Sequence, residues 1–275
     1  MRSALESYAT YFKGPDREAL GRFVLPVSRL EELETAGQDL FPRGSDAEPW
    51  RVAGLVSGDV AAAIEVVLRF NRNHSSGGAS GRALIDVVEL KAATVEDIER
   101  QASQVPQSFT AYFEVPLGPT CPALLTTVNA VRARAKVRTG GVTPDVFPAS
   151  SELMEFMDAC RRDGVAFKAT AGLHHPVRGS YRLTYERGSS AAMMYGFLNV
   201  FIAAALLYAG NSKEIARGAL EETDVERFSF DHNAIGWSTH RVSTEEVRKA
   251  RDHFAISFGS CSFREPVEEL AEMVR

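Results

Sequence analysis

Charged residues and glycines follow one another along two neighbouring apolar stretches in the middle of the chain. The first contains Lys136 and Arg138 and ends in Gly140-Gly141, and the second contains Lys168 and ends in Gly172-Leu173-His174-His175. Lysine, arginine and histidine side chains hold anions, transfer protons and attack carbonyl carbons. If both stretches are parallel strands, these residues meet at the carboxyl ends of the strands, where α/β proteins place their sites. The pattern therefore predicts a site for a small anionic molecule.

Lys168 is the strongest single candidate for a catalytic residue. A lysine held in an apolar environment near a second cation has a lowered pKa, and its neutral amine can attack a carbonyl carbon. Lys136 or Arg138 on the preceding stretch would supply that second cation. We therefore expect Lys168 to be a nucleophile that forms a Schiff base, or a general base. The alternative is that these charges form an internal salt-bridge network without chemistry.

The residues from Phe167 to Gly172 resemble the end of strand six in class I aldolases, which are barrels with a Schiff-base lysine on that strand. This resemblance implies a lyase with Lys168 in the Schiff-base role. It covers only that strand end, and the aldolase pattern does not require the pair His174-His175. The residues from Lys168 to Leu173 are also similar to the Arg/Lys-Thr-Thr-x-Gly-Leu strand end of the quinolinate phosphoribosyltransferase barrel. That second resemblance implies a phosphoribosyl-type transferase.

Other residues at predicted strand ends complete the candidate site. The stretch from Gly259 to Ser262 leads into a predicted helix, whose free N–H groups attract anions, although Ser262 is equally a helix cap. We interpret Cys261 as a small buried cysteine, with a nucleophile near a helix start as the alternative. No metal site is predicted, because adjacent histidines on an extended segment point in opposite directions. The candidates for proton transfer are Glu89, Glu114, His174 and His175. The candidates for substrate binding are Lys91, Lys136, Arg138, Gly140, Gly141, Thr170, Gly259, Ser260 and Ser262.

The elements that must position these residues alternate between short apolar stretches and amphipathic helical patterns. Eight such alternations favour a (β/α)8 TIM-like barrel that forms a single domain over residues 1–275, with an open doubly wound α/β sheet as the alternative. We expect Pro176–Glu186 to form an inserted loop or hairpin after strand six, and Ala234–Trp237 competes with the seventh strand. The predicted strands are Arg22–Val27, Arg51–Ser57, Leu84–Lys91, Phe109–Val115, Ala135–Thr139, Ala166–Thr170, Arg227–Asp231 and Ala255–Ser260.

Composition narrows the functional classes. The chain has 275 residues, of which 45% are hydrophobic and 24% charged, with a net charge of −5. This balance is typical of a globular protein and speaks against a nucleic-acid-binding scaffold, which would carry a basic patch. Three widely spaced cysteines without a CxxC motif make a disulfide framework improbable. No apolar signal-peptide core occurs in the first twenty residues, so we expect a cytoplasmic protein.

One uncharged stretch, Ala191–Ala209, approaches the length of a membrane span. It is rich in alanine, contains Asn199, and lies within the β/α pattern. We therefore predict a buried or interface helix that ends at Gly210-Asn211 and does not enter a membrane. Such a helix could pair two subunits, which predicts a homo-oligomer.

Together these features predict an enzyme that acts on a small phosphorylated or carboxylated carbonyl compound by lyase chemistry of the aldolase type. The lyase is expected to need no cofactor. Two alternatives stay open at this point. One is a phosphoribosyl-type transferase that uses Mg²⁺, and the other is a barrel that binds a metabolite without catalysis.

Overall fold

The computed structural model describes residues 1–273 as a mixed α/β protein whose chain divides into two compact units. The first unit comprises Met1–Phe113, and the second begins at Glu114. Seven parallel strands follow the order β1-β2-β3-β4-β5-β6-β12, and the shorter strands form a three-stranded and a two-stranded sheet.

The first unit alternates strands and helices. Its helices begin with side-chain caps where the sequence offers them: Asp59 accepts a hydrogen bond from the Ala62 amide, and Thr94 accepts one from the Asp97 amide. Trp50 is buried among the aromatic rings of Tyr8 and Phe41. The elements of the first unit are α1 (Arg2–Phe12), β1 (Phe23–Pro26), α2 (Leu30–Gly37), β2 (Trp50–Leu55), α3 (Val60–Asn73), β3 (Ala83–Lys91), α4 (Val95–Ala102) and β4 (Thr110–Glu114), the last of which ends at the first residue of the second unit.

The second unit contains two more α/β repeats, two small antiparallel sheets and a final strand and helix. Its elements are α5 (Cys121–Ala130), β5 (Arg134–Arg138), α6 (Ser150–Asp163), β6 (Phe167–Thr170), β7 (Gly179–Arg182), β8 (Ala191–Met194), α7 (Phe197–Tyr208), α8 (Lys213–Glu221), β9 (Phe228–Phe230), β10 (Ala234–Trp237), β11 (His240–Ser243), α9 (Thr244–His253), β12 (Ala255–Gly259) and α10 (Arg264–Met273).

Seven of the eight predicted strands lie in the parallel sheet, and the prediction for the seventh strand is wrong. Arg227–Asp231 corresponds to β9, which pairs antiparallel with β10 in the separate three-stranded sheet. The reason is local: the Asp231 carboxylate accepts hydrogen bonds from the amides of Asn233 and Ala234, which closes a tight turn. A tight turn joins antiparallel strands, whereas a parallel pair needs a long crossover.

The parallel sheet therefore does not close. Its order places β12 beside β6 and leaves β1 and β12 as edges, so residues 1–273 do not form the predicted eight-stranded barrel. The order follows the chain from β1 to β6, without the reversal that marks a doubly wound sheet. What the alternation predicted correctly is the α/β class and the parallel pairing.

The insertion after strand six, expected to be a loop or a hairpin, is a hairpin. Gly179–Arg182 pairs antiparallel with Ala191–Met194, which the sequence analysis assigned to the following helix. The helix begins only at Phe197: Gly196 is extended, and the amides of Phe197 and Leu198 donate to the carbonyls of His175 and Pro176. The twelve-residue α7 is largely buried, and no helix among residues 1–273 is long and apolar enough to cross a membrane.

Aromatic side chains pack one face of β6 and β12 against the rest of the second unit. Phe167 on β6 contacts Phe156 of α6 and Phe254 before β12, with ring centroids 5.4 and 5.1 Å apart. Phe258 on β12 stacks on Phe197 of α7 at 5.1 Å. Because side chains alternate along a strand, Lys168 must project from the opposite face.

Candidate functional site

Lys136 and Lys168 lie side by side on β5 and β6. The two residues are register partners, and each is less than 10% exposed. Partners on adjacent parallel strands project from the same face, with backbones about 4.8 Å apart. The Nζ atom of Lys136 is 2.8 Å from an Oε atom of Glu114 on β4. Glu114, Lys136 and Lys168, hereafter the lysine cluster, therefore place two ammonium groups and one carboxylate on one face of the second unit's strands.

Lys168 lies next to the edge strand of the parallel sheet. Ser257 on the edge strand β12 is the register partner of Lys168 and is exposed. Lys136, one of the two residues expected to supply the second cation beside Lys168, is the register partner of Lys168 on the other side.

The loops that follow β5 and β6 are bound to each other by Thr139, which is fully buried. Its amide donates to the Thr170 carbonyl at 2.8 Å, and its hydroxyl donates to the Ala171 carbonyl at 2.6 Å. Ala171 has a positive φ of 66°, a conformation that costs a non-glycine residue roughly 1–2 kcal/mol. Such strain persists only where the surrounding structure imposes it, and it clusters at functional sites.

Glycines let these two loops come together. A Cβ at Gly140 would overlap the ring of Phe147, and Gly172 lies against the same ring with a φ of 75°. Arg138, at the end of β5, is exposed, and its guanidinium lies 3.5 Å from the Gly140 carbonyl. The predicted anion-binding residues Arg138, Gly140, Gly141 and Thr170 thus lie together at the ends of β5 and β6.

The loop between β12 and α10 meets the histidine pair. The Ser260 hydroxyl is 3.1 Å from Nδ1 of His174. Ser262 accepts a hydrogen bond from the Glu265 amide, which makes it a helix cap, one of the two roles considered for it. Ser260 therefore lies beside His174, Ser262 caps the helix that carries Glu265, and Gly259 is the register partner of Thr170.

Cys261 is exposed and lies beside His174, which corrects its interpretation as a buried cysteine. Its Sγ atom is 3.7 Å from both ring nitrogens of His174. This contact lowers the pKa of the Cys261 thiol and raises the pKa of His174, to which the carboxylate of Glu265, 3.4 Å from Nδ1, also contributes. Each of the two side chains thus stabilises the charged form of the other.

His175 belongs to a second group of side chains. Its Nδ1 atom is 2.9 Å from both carboxylate oxygens of Glu269, and its ring stacks on Tyr181 with centroids 3.6 Å apart. Potential ligand atoms of His175, Glu265 and Glu269 all lie within 4.8 Å of one another. Of the residues described, these three are therefore the ones that could hold a metal ion.

Two predicted residues, Glu89 and Lys91, lie on β3 in the first unit. Glu89 is buried, and Lys91 is exposed at the end of the strand. Glu89 is the register partner of Leu55, and its carbonyl accepts a hydrogen bond from the Val56 amide.

Sequence reasoning missed Glu265, Glu269, Tyr181 and Tyr185. The Tyr185 hydroxyl donates to Glu265 at 2.7 Å. The signal that could have found the two glutamates is their i, i+4 spacing after the cap Ser262, which places both carboxylates on one face of the last helix.

Two surface cavities are lined by other residues. One of about 580 Å³ is lined by Phe12, Arg17 and Trp50 in the first unit, and one of about 340 Å³ is lined by Pro119, Phe156 and Arg162 in the second. Neither is lined by a predicted site residue.

No protein-family model matches the chain, and comparison with curated proteins gives no significant match. The geometry of the site is therefore the basis for assigning a function.

Proposed function

We propose that the protein is an enzyme that acts on a small phosphorylated or carboxylated carbonyl compound, by lyase chemistry of the aldolase type with Lys168 as nucleophile. The observation that supports this most is the register of Lys168 with Lys136, which buries two ammonium groups side by side. Attack on a carbonyl requires a neutral amine, and burial beside a second cation is an environment in which enzymes obtain one.

The reaction would begin with attack of the Lys168 amine on the carbonyl carbon. The carbonyl oxygen takes up protons and leaves as water, which gives a protonated Schiff base. The bond between the α and β carbons then breaks and sends its electron pair toward the positive nitrogen, which gives an enamine, while the β-hydroxyl loses its proton and becomes the carbonyl of the first product. Protonation of the enamine and addition of water release the second product and regenerate the Lys168 amine. Glu114, paired with Lys136, or a histidine of the pair would move the protons. Arg138 and the glycines at the strand ends would hold the anionic group of the substrate.

A second candidate is a phosphoribosyl-type transferase that uses Mg²⁺. The observation that favours it is the meeting of two glycine-containing strand ends, Gly140-Gly141 and Gly172, beside the exposed guanidinium of Arg138. In that case Lys136, Lys168 and Arg138 would neutralise the pyrophosphate and no covalent intermediate would form.

The test is trapping of the Schiff base by borohydride. The protein is incubated with a panel of keto acids and sugar phosphates, reduced, and analysed by intact mass and peptide mapping. We expect an adduct on Lys168 that is absent from Lys168→Met, which keeps the length of the side chain without the amine. The matched control is Lys249→Ala, because Lys249 is an exposed lysine paired with Glu245 on α9 and should not affect the yield.

The alternative outcomes separate the candidates. An adduct of equal yield in Lys168→Met would contradict the proposal, because another amine would then be the nucleophile. Absence of adduct together with Mg²⁺-dependent stabilisation by a sugar pyrophosphate would favour the transferase. Stabilisation by a keto acid or sugar phosphate without adduct or turnover would favour a metabolite-binding protein.

A further inference from the structure

The cluster at the start of α10 combines two carboxylates and an imidazole in a way that suits a metal ion. Glu265 and Glu269 are one helical turn apart, and their carboxylates face His175. Like charges at i, i+4 destabilise a helix unless a cation compensates them. A cation held between the two carboxylates and the imidazole would remove that repulsion.

We propose that His175, Glu265 and Glu269 bind a divalent transition-metal ion of the Zn²⁺ type. The distances permit it: the ligand atoms lie within 4.8 Å of one another, so bonds of about 2.0–2.2 Å from a common centre need only small side-chain rotations. This inference does not rest on the Schiff-base proposal, because it uses none of the residues of the lysine cluster.

The ligands are held in place by groups around them. The His175 ring stacks on Tyr181, and the His175 carbonyl accepts a hydrogen bond from the Phe197 amide at the start of α7. The Glu265 carboxylate accepts a hydrogen bond from Tyr185. Outer partners of this kind orient metal ligands and raise affinity.

The ligand set selects the metal. Mg²⁺ and Ca²⁺ favour sites made only of oxygen atoms, whereas one imidazole with two carboxylates suits Zn²⁺ and its neighbours in the first transition row. The side chains of His175, Glu265 and Glu269 are 14%, 23% and 35% exposed. Three protein ligands at a partly open position leave room for water or a substrate oxygen as the fourth, which is the arrangement of catalytic zinc sites.

The experiment is titration of the chelator-treated 275-residue protein with Zn²⁺. Binding is measured by isothermal titration calorimetry and by the Zn²⁺ dependence of thermal unfolding. We expect one ion per chain. Loss of an outer partner of a metal ligand already lowers the metal affinity roughly 10–100-fold. Loss of a ligand should cost at least as much, so His175→Ala and Glu269→Gln should each lower the Zn²⁺ affinity at least about tenfold. Glu268→Gln is the matched control, since Glu268 is exposed, adjacent on the same helix and paired with Arg264.

The proposal is overturned by absence of Zn²⁺ binding to the wild type, or by affinity that is unchanged in both ligand variants. Loss of binding in Cys261→Ser, with binding intact in His175→Ala, would also overturn it, because the ion would then be held by Cys261 and His174. Circular dichroism of each variant without metal distinguishes loss of a ligand from loss of folding. If a variant is unfolded without metal, Glu265→Gln takes its place and must show the same loss of Zn²⁺ affinity.

Discussion

Replacement of Asn199 tests whether one buried amide holds the second unit together. Asn199 lies in α7 and is fully buried. Its amide nitrogen donates to the carbonyls of Ala219 and Glu222, both at 2.8 Å, and its oxygen accepts from the Arg178 amide at 2.7 Å. The side chain thus joins α7 to the end of α8 and to the segment before β7.

The cost of Asn199→Ala follows from the groups left behind. The Arg178 N–H loses its acceptor, which costs about 1–3 kcal/mol for a buried donor. The two carbonyls of Ala219 and Glu222 each lose one hydrogen bond but keep a second lone pair, so each adds about 0.5–1 kcal/mol. We therefore expect the free energy of unfolding to fall by about 2–5 kcal/mol, a large effect for one substitution.

The assay is urea unfolding followed by the fluorescence of Trp237. The Trp237 indole donates to the Glu222 side chain at 2.9 Å, so it reports the region that Asn199 stabilises. Trp50, the other tryptophan of the chain, lies in the first unit and is replaced by phenylalanine in every variant. With a urea dependence of about 2 kcal/mol per molar, the transition midpoint should fall by roughly 1–2.5 M.

Asn211→Ala is the matched control. Asn211 follows α7, is only partly buried, and donates one hydrogen bond to the Leu206 carbonyl at 3.0 Å. Its loss should cost at most about 1 kcal/mol, because water can replace the partner. If Asn199→Ala lowers the midpoint no more than Asn211→Ala does, the reasoning from unsatisfied buried groups is refuted for this helix.

Two further predictions concern the site itself. Iodoacetamide should alkylate Cys261 near neutral pH, because contact with His174 lowers the pKa of its thiol. Burial raises the pKa of Cys121 to about 11, so Cys121 should stay unmodified until the protein unfolds. Peptide mass spectrometry over a pH series measures this, and His174→Gln should move the Cys261 profile to higher pH; an unmoved profile contradicts the contact. Thr139→Val should cost about 1–3 kcal/mol in urea unfolding by leaving the Ala171 carbonyl without its hydroxyl donor, and Thr139→Ser should cost less. A smaller loss in Thr139→Val than in Thr139→Ser would contradict this, because the methyl group would then contribute more than the hydrogen bond.

The strands of the parallel sheet could be predicted because their local pattern agrees with their tertiary role. Ala135–Thr139 and Ala166–Thr170 are short apolar stretches between helical patterns, and they became β5 and β6 with shifts of one residue at the ends. The sequence could not assign Arg227–Asp231 to the correct sheet, because an apolar strand looks the same locally in a parallel and in an antiparallel pair. The turn residues after β9 carried the missing information.

The helix over Ala191–Ala209 shows a different limit. Its composition predicted burial correctly, and nine residues of α7 are buried. Its start could not be predicted, because alanine and methionine favour a helix, and Ala191–Met194 forms a strand only through pairing with Gly179–Arg182. Tertiary pairing has overridden local propensity here.

The candidate site was predictable where its residues come from consecutive strands and was missed where they come from distant segments. Lys136 and Lys168 became neighbours because β5 and β6 are consecutive and parallel. Glu269 reaches His175 across 94 residues of sequence, and no local pattern connects them. Tyr185 reaches Glu265 in the same way, from the loop between β7 and β8.

The short segment from Lys168 to His175 contributes to both proposed sites, and Thr139 fixes the turn between them. Lys168 projects from the strand face, whereas His174 and His175 contact the residues around α10. The strained Ala171 lies between these positions and is held by the Thr139 hydroxyl. Thr139→Val should therefore lower Zn²⁺ affinity through the displaced histidine and leave the β5–β6 register of Lys168 intact. If it abolished the Schiff-base adduct and left Zn²⁺ affinity unchanged, the turn would not be what positions His175.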